Sequence, residues 1–167
     1  KKIETLSKET AFTDIYGNVK EGILQANIGV YKDDVKKVPE TFLFDSFVYD
    51  SRKEKDTIEY SNNIKEIVVF GKIPRRSIQI PLYFGGTTSP DFMYILKRKD
   101  NSYEMNLIVE TKGVEKESAL RDEEKLKIES AEKFFEIMSG EGINIKFRKQ
   151  IKSDDILKII KDVIKQN

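Results

Sequence analysis

Apolar residues recur along this chain with two periods, one near two residues and one near three to four, and each period predicts its own kind of element. Residues 64–72, "IKEIVVFGK", form a β run, and residues 75–84, "RRSIQIPLYF", a second extended stretch ending at Gly85-Gly86. Residues 91–98, "DFMYILKR", and 105–112, "MNLIVETK", then make two strands of an antiparallel hairpin across "KDNSY". Helical spacing governs 121–140, where Ile128, Ala131, Phe134, Phe135 and Met138 fall on one side and Gly140 stands as the terminating glycine. Residues 143–150 alternate as a half-buried strand. The last helix opens on a capping signal at Ser153 and carries Ile156, Ile159, Ile160, Val163 and Ile164 on one face. Nearer the start, 11–31 read as a hairpin or meander with a Gly17-Asn18 turn. Residues 40–63 read as helical with a break near Asp50-Ser51, after which Ser51 and Glu54 match a capping box for a helix over 52–60. The order helix, strands with an internal hairpin, helix, strand, helix predicts an α/β sandwich with a mixed central sheet.

One strand ends in a way that packing does not explain. Leu107-Ile-Val-Glu-Thr-Lys runs apolar and then places Glu110 and Lys112 two positions apart, on the same face and about 6–7 Å apart along the strand. Asp91 opens the neighbouring strand of the hairpin, so the two carboxylates converge at one edge of the sheet. Each half has an ordinary explanation. Pro-Asp is a common turn dipeptide, and a same-face Glu-x-Lys in solvent contributes only about 0–1 kcal/mol. The combination follows an apolar stretch that belongs in the middle of a sheet, where solvated charges are not expected.

Composition narrows the chemistry those residues can do. The 167 residues fit one domain able to fold on hydrophobic packing alone. Lys+Arg number 30 against 29 Asp+Glu, so a charged partner must meet a local patch and not an overall charge. The chain has no Cys and no His, which removes thiol nucleophiles, thiolate zinc sites, iron–sulfur clusters and every histidine base or ligand. What is left is carboxylates and lysines. Two convergent carboxylates need a proton or a cation between them. Mg²⁺ supplies that charge through hard oxygen ligands, with Lys112 beside it to orient or polarise a water, which is sufficient for phosphodiester hydrolysis. No apolar run approaches the roughly 18 residues of a membrane span, and "KKIETLSKET" lacks a signal-peptide core, so a cytoplasmic location with no membrane partner is expected. The first residue is not methionine, which suggests a fragment of a longer protein.

"PD" followed after a hairpin by "ETK" resembles the PD-(D/E)XK nuclease superfamily. "VYDSRKEKD", "FGKIPRRSIQIP", "GGTTSPDFMYI", "LIVETKG" and "LRDEEKLKIESAEKFF" together resemble the C-terminal endonuclease domain of the Res subunit of type III restriction enzymes, in order from about Phe44 to Gln150. The resemblance implies a restriction-endonuclease-like sandwich over 41–167, with 1–40 as an N-terminal extension or linker remnant. It implies that Asp91 and Glu110 ligate the metal, with the Thr111 carbonyl as a further ligand, Mn²⁺ as a possible substitute for Mg²⁺, and Lys112 assisting the attacking water. Glu54 matches the helix acid that often helps such sites, although a capping box with Ser51 explains the same glutamate. Lys127 could reach the scissile strand, but a solvated helix face is the simpler reading.

Phosphate contacts dominate affinity for duplex DNA, so Arg75, Arg76 and the basic excess from Lys146 onward are candidate contacts, no element resembling a base reader. The kinship further implies a helicase-like motor before this domain and a modification (methyltransferase) subunit as partner. The chain has no GxxxxGK[ST] loop, so ATP enters only through that motor. The rival readings are a non-cleaving DNA-binding or docking module on the same fold, and a repair or junction nuclease of the same superfamily.

Overall fold

The computed structural model describes residues 29, 31–33, 38–44, 46–97, 103–112, 114, 117–151 and 155–165. Strand β1 (Tyr31–Asp33) pairs antiparallel with β2 (Phe47–Tyr49), and helix α1 (Arg52–Ser61) follows. Then come β3 (Ile67–Lys72), two-residue strands β4 (Ile80–Pro81) and β5 (Thr87–Thr88), β6 (Phe92–Lys97) and β7 (Tyr103–Thr111). A single 3₁₀ turn at Glu117–Ala119 precedes α2 (Asp122–Gly140), β8 (Ile145–Gln150) and α3 (Asp155–Lys165).

The central sheet has the order β3-β6-β7-β8, with β3-β6 and β6-β7 antiparallel and β7-β8 parallel. It is therefore the mixed sheet with flanking helices that the alternating elements predict. Strand parity divides its side chains between two cores. Phe70, Phe92, Tyr94, Leu96, Leu107 and Val109 pack with Ile58 of α1 and the isoleucine face of α3. Ile73, Ile108 and Phe147 pack on the other side with Ile128, Ala131 and Phe135 of α2. Both faces of β7 are buried over Leu107–Val109, as a run such as "NLIVE" requires, whereas β6 buries Phe92, Tyr94 and Leu96 on one face and leaves Met93 exposed on the other.

Three expectations need correction. Residues 41–50 are not helical: Phe42 forms a parallel bridge to Phe70, with Phe70 N donating to Thr41 O (2.8 Å) and Leu43 N to Phe70 O (2.8 Å). The exposed edge of β3 offers these backbone partners, and Phe42, Phe47 and Val48 are buried on docking there, which outweighs local helix preference. Residues 75–84 are not one extended stretch. A turn over 74–77 interrupts it, and only Ile80–Pro81 pair, with Thr87–Thr88. The left-handed residue that ends α2 is Gly142 (φ 91°), whose N–H donates to Ser139 O, and not Gly140. The hairpin expected over 11–31 falls outside the described residues except at 29 and 31, and the cap at Ser153 falls outside them too.

The docked 41–44 segment leads into β2 and on to Asp50 and Ser51 at the start of α1, so it bears on the site below. Gly71 lets it approach: a Cβ there would stand 2.9 Å from Leu43 Cβ. Gly71→Val is expected to destabilise the fold by about 1–3 kcal/mol through overpacking. Urea denaturation checks this, and an unchanged midpoint would mean the segment is not tightly docked.

Candidate active site

Phe92 stands opposite Val109, so Asp91, one residue earlier, stands opposite Glu110. The backbone of Asp91 is held from both sides: its N–H donates to Val109 O (3.2 Å) and its carbonyl accepts from Ile73 N (2.7 Å). Its Oδ2 accepts two further bonds, from Thr111 N and Thr111 Oγ1, both at 2.7 Å. Glu110 has the parity of Ile108 and so faces α2, and Lys112 shares that face: Lys112 Nζ lies 2.6 Å from Glu110 Oε1. Lys112 N continues the β7-β8 ladder by donating to Gln150 O (2.9 Å), which fixes the lysine's backbone. Asp91, Thr111, Glu110 and Lys112 thus meet at one end of the sheet.

A second cluster abuts the first from α1. Ser51 Oγ accepts from Glu54 N (3.2 Å) and caps the helix, but the Glu54 carboxylate accepts from Asp50 N (2.9 Å) instead of completing the box on Ser51. The same Glu54 Oε2 lies 2.5 Å from Lys72 Nζ. Lys72 is 3% exposed and also reaches Asp50 Oδ2 at 2.6 Å, while Arg75 takes Asp50 Oδ1 at 2.6 Å. Glu54 therefore does both things at once, supporting the helix start and joining a buried ion network. Asp50 and Lys72 were not candidates from sequence. Lys72 has the parity of Phe70 at the end of an apolar strand, the same signal that marks Glu110 and Lys112, and that signal could have found it.

Burial pushes the carboxyls up. Glu110 rises to about 7, first through desolvation and then through the nearby charge of Asp91, against the opposing pull of Lys112. Asp91 is raised by desolvation, with the Thr111 bonds, Lys112 and Lys72 working the other way. Glu54 is raised by desolvation more than Lys72 lowers it. Desolvation pulls Lys112 down, but Glu110 and Asp91 outweigh it and leave the group above its ordinary value, so it stays an ammonium at neutral pH.

Other candidates lie elsewhere. Lys127 pairs with Glu123 one turn away at 2.5 Å, a surface ion pair of α2. Lys158 and Lys161 are exposed on α3, whereas Lys152 and Asp154 lie outside the described residues.

A family model described as an endonuclease domain matches residues 40–154. The chain is 41% identical over 155 residues to the Res subunit of the type III restriction-modification enzyme EcoP15I of Escherichia coli, covering 93% of this chain and 16% of that protein. It is 39% identical, with the same coverage, to the EcoPI Res subunit of Escherichia phage P1. The StyLTI Res subunit of Salmonella typhimurium is 34% identical over 100 residues, 60% of this chain and 10% of that protein. This chain belongs to the endonuclease-domain family of type III restriction Res subunits. It spans about 16% of the length of the first two relatives. No solved structure matches it. Among the described residues, no helix is long and apolar enough to cross a membrane.

For an endonuclease domain without His or Cys, the donor set for a cation has to be oxygen. Among the described residues, no three acidic side chains are grouped closely enough to hold a metal ion. The pair Asp91–Glu110 nevertheless fits one chemically. Asp91 Oδ1 and Glu110 Oε2 carry no hydrogen bond among the described residues, and the two desolvated carboxylates raise the cost of each other's charge.

These shifts set the sign of a pH dependence. The folded-state pKa of Glu110, about 7, lies above its ordinary 4.5, and Asp91 and Glu54 shift the same way, so across that window the folded protein binds more protons than the unfolded chain. Without divalent ions, stability should therefore rise as pH falls from about 7 toward 4.5. Thermal unfolding in chelator is expected to show a higher midpoint at about pH 5.5 than at about pH 8, with Glu110→Gln flattening the difference. A midpoint that climbs with pH over this range contradicts the buried, mutually repelling acids.

Proposed function

We propose that this chain hydrolyses DNA phosphodiester bonds with a divalent cation, Mg²⁺ or its substitute Mn²⁺, as the nuclease part of a type III restriction Res subunit. The observation that carries the reading is the meeting of Asp91, Glu110 and Lys112 at the shared end of β6 and β7, a half-buried and a buried carboxylate with an ammonium 2.6 Å from the buried one. Asp91 and Glu110 are the residues that would hold the ion, with the Thr111 carbonyl as a further ligand. When bound, such an ion offsets charge on the pentacovalent transition state and acidifies an attacking water.

The protein's own groups do the positioning. The two Thr111 bonds lock the Asp91 carboxylate to β7, so it has one orientation before substrate arrives. Lys112, kept protonated by its acidic neighbours, donates to the water or to a phosphate oxygen and does not act as a base. Glu54, already tied to Lys72, adds a fourth group by orienting that lysine beside Asp91. In this reading the endonuclease body is 41–167 with 1–40 as an extension, and β1 pairing with β2 ties 31–33 to that body. The substrate is double-stranded DNA in the cytoplasm. The helicase-like motor and the modification (methyltransferase) subunit of the whole enzyme deliver it.

Supercoiled plasmid incubated with the chain and Mg²⁺ or Mn²⁺ tests this. Asp91→Ala and Lys112→Ala should each lower nicking by about 10²-fold or more, the loss typical of removing one charged group at a transition state. Equal nicking by wild type and both variants would remove these residues from the chemistry. No nicking by wild type would favour the docking module.

A further inference from the structure

Between β3 and β6 the chain leaves the sheet for residues 73–91, forming a turn, the β4-β5 hairpin and a return to Asp91. This excursion walls a cleft of about 440 Å³ lined by Arg75, Arg76, Gln79, Thr87, Thr88 and Ser89, together with Lys72 and Asp91 of the site. Its lining offers an anion guanidinium, amide and hydroxyl donors, alongside the carboxylates of Asp50 and Asp91 and the apolar Ile73 and Pro90. Not every cation there is available: Lys72 and Arg75 are committed to Asp50, and Lys72 to Glu54 as well. Arg76 has no acidic partner among the described residues.

Two features of this cleft have no structural explanation within the fold. Arg76 has φ 67°, the left-handed region where an arginine is rare and a glycine would be at ease. The turn that imposes it is well tied: Ser77 N and Ser77 Oγ both donate to Pro74 O (3.1 and 2.6 Å), and Gln79 Nε2 donates to Arg76 O (3.2 Å). A bulky side chain at a strained backbone position points to a use for that side chain. The second feature is Ser89, whose Oγ is buried with no hydrogen-bond partner among the described residues. A buried hydroxyl left unsatisfied at the wall of a cleft asks for a ligand atom.

We propose that this cleft binds a phosphate of the DNA strand being cut, adjacent to the scissile one, through Arg76 and Ser89, and so sets the register of that strand against Asp91. The proposal rests on the nuclease reading above for the identity of the strand, and on the cleft itself for the binding. Arg76 supplies the fork that suits two phosphate oxygens, and Ser89 supplies a directed donor.

The test is fluorescence anisotropy of a labelled short duplex with this chain in chelator over a range of salt. Arg76→Ala and Arg76→Gly should lower the slope of log affinity against log salt by about one, the loss of one phosphate contact. Ser89→Ala should weaken binding with the slope unchanged. Arg76→Gly should also raise the thermal midpoint, because glycine relieves the left-handed strain. Wild-type slope in both Arg76 variants overturns the proposal, and so does a wild type that binds no duplex at low salt. Unchanged affinity in Ser89→Ala overturns the cleft in favour of unspecific surface charge. Because binding is read without divalent ions, failure of nicking in every protein with the slope change intact overturns the hydrolytic reading alone. Intact nicking without the slope change overturns the cleft alone.

Discussion

The end of this sheet depends on keeping charges out of water and in each other's company. Among the described residues, the four carboxylates of Asp50, Glu54, Asp91 and Glu110 gather around the three cations Lys72, Arg75 and Lys112, so acids outnumber cations in the cluster. A buried surplus of that kind is removed by a proton or by a cation from outside, because desolvation makes an uncompensated ion very unfavourable. The rise of Glu110 to about 7 is the protonic solution. The divalent ion of the proposed mechanism is the other, and the two compete for the same carboxylate.

Ordinary strand geometry places these groups. Parity puts Lys72 on the side of α1 and Glu110 on the side of α2, while Asp91 stands where β6 begins, sensed by both Lys72 and Lys112. The aliphatic and aromatic cores on the two faces hold β6 and β7 in a register that a slip of one residue would invert. Further support comes from polar groups beneath the site: Gln150 donates to Thr57 Oγ1 (3.0 Å), and Ser61 Oγ pairs with the Tyr94 hydroxyl (3.0 Å), joining α1 to β8 and β6. The position of Glu54 is thus fixed by the same packing that fixes Asp91.

Much of this was legible from periodicity. The β6-β7 hairpin, α2, β8 and α3 each have long, consistent patterns, and the same-face placement of Glu110 and Lys112 follows from parity alone. The segment 41–50 was not, because "TFLFDSFVY" has apolar spacing compatible with a helix and its partner, the free edge of β3, is known only in three dimensions. The same limit hid Asp50. Its bond to Lys72 spans 22 positions and leaves no local pattern, so only the lysine's parity with Phe70 carried a signal.

The two readings of Glu54, helix start and proposed site acid, are geometrically compatible. Its carboxylate accepts the Asp50 N–H and the Lys72 ammonium at the same oxygen, so the bond that starts α1 also holds the lysine beside Asp91. With an ammonium already against each of them, Glu54 and Glu110 make less demand on an added cation than Asp91 does. Lys112 cannot relieve Asp91 in the same way. Its ion pair is with Glu110, whereas among the described residues the Asp91 carboxylate has the neutral Thr111 donors in direct contact. The least compensated carboxylate of the cluster is therefore Asp91, directly beside Glu110, which is where the proposed chemistry needs a divalent ion.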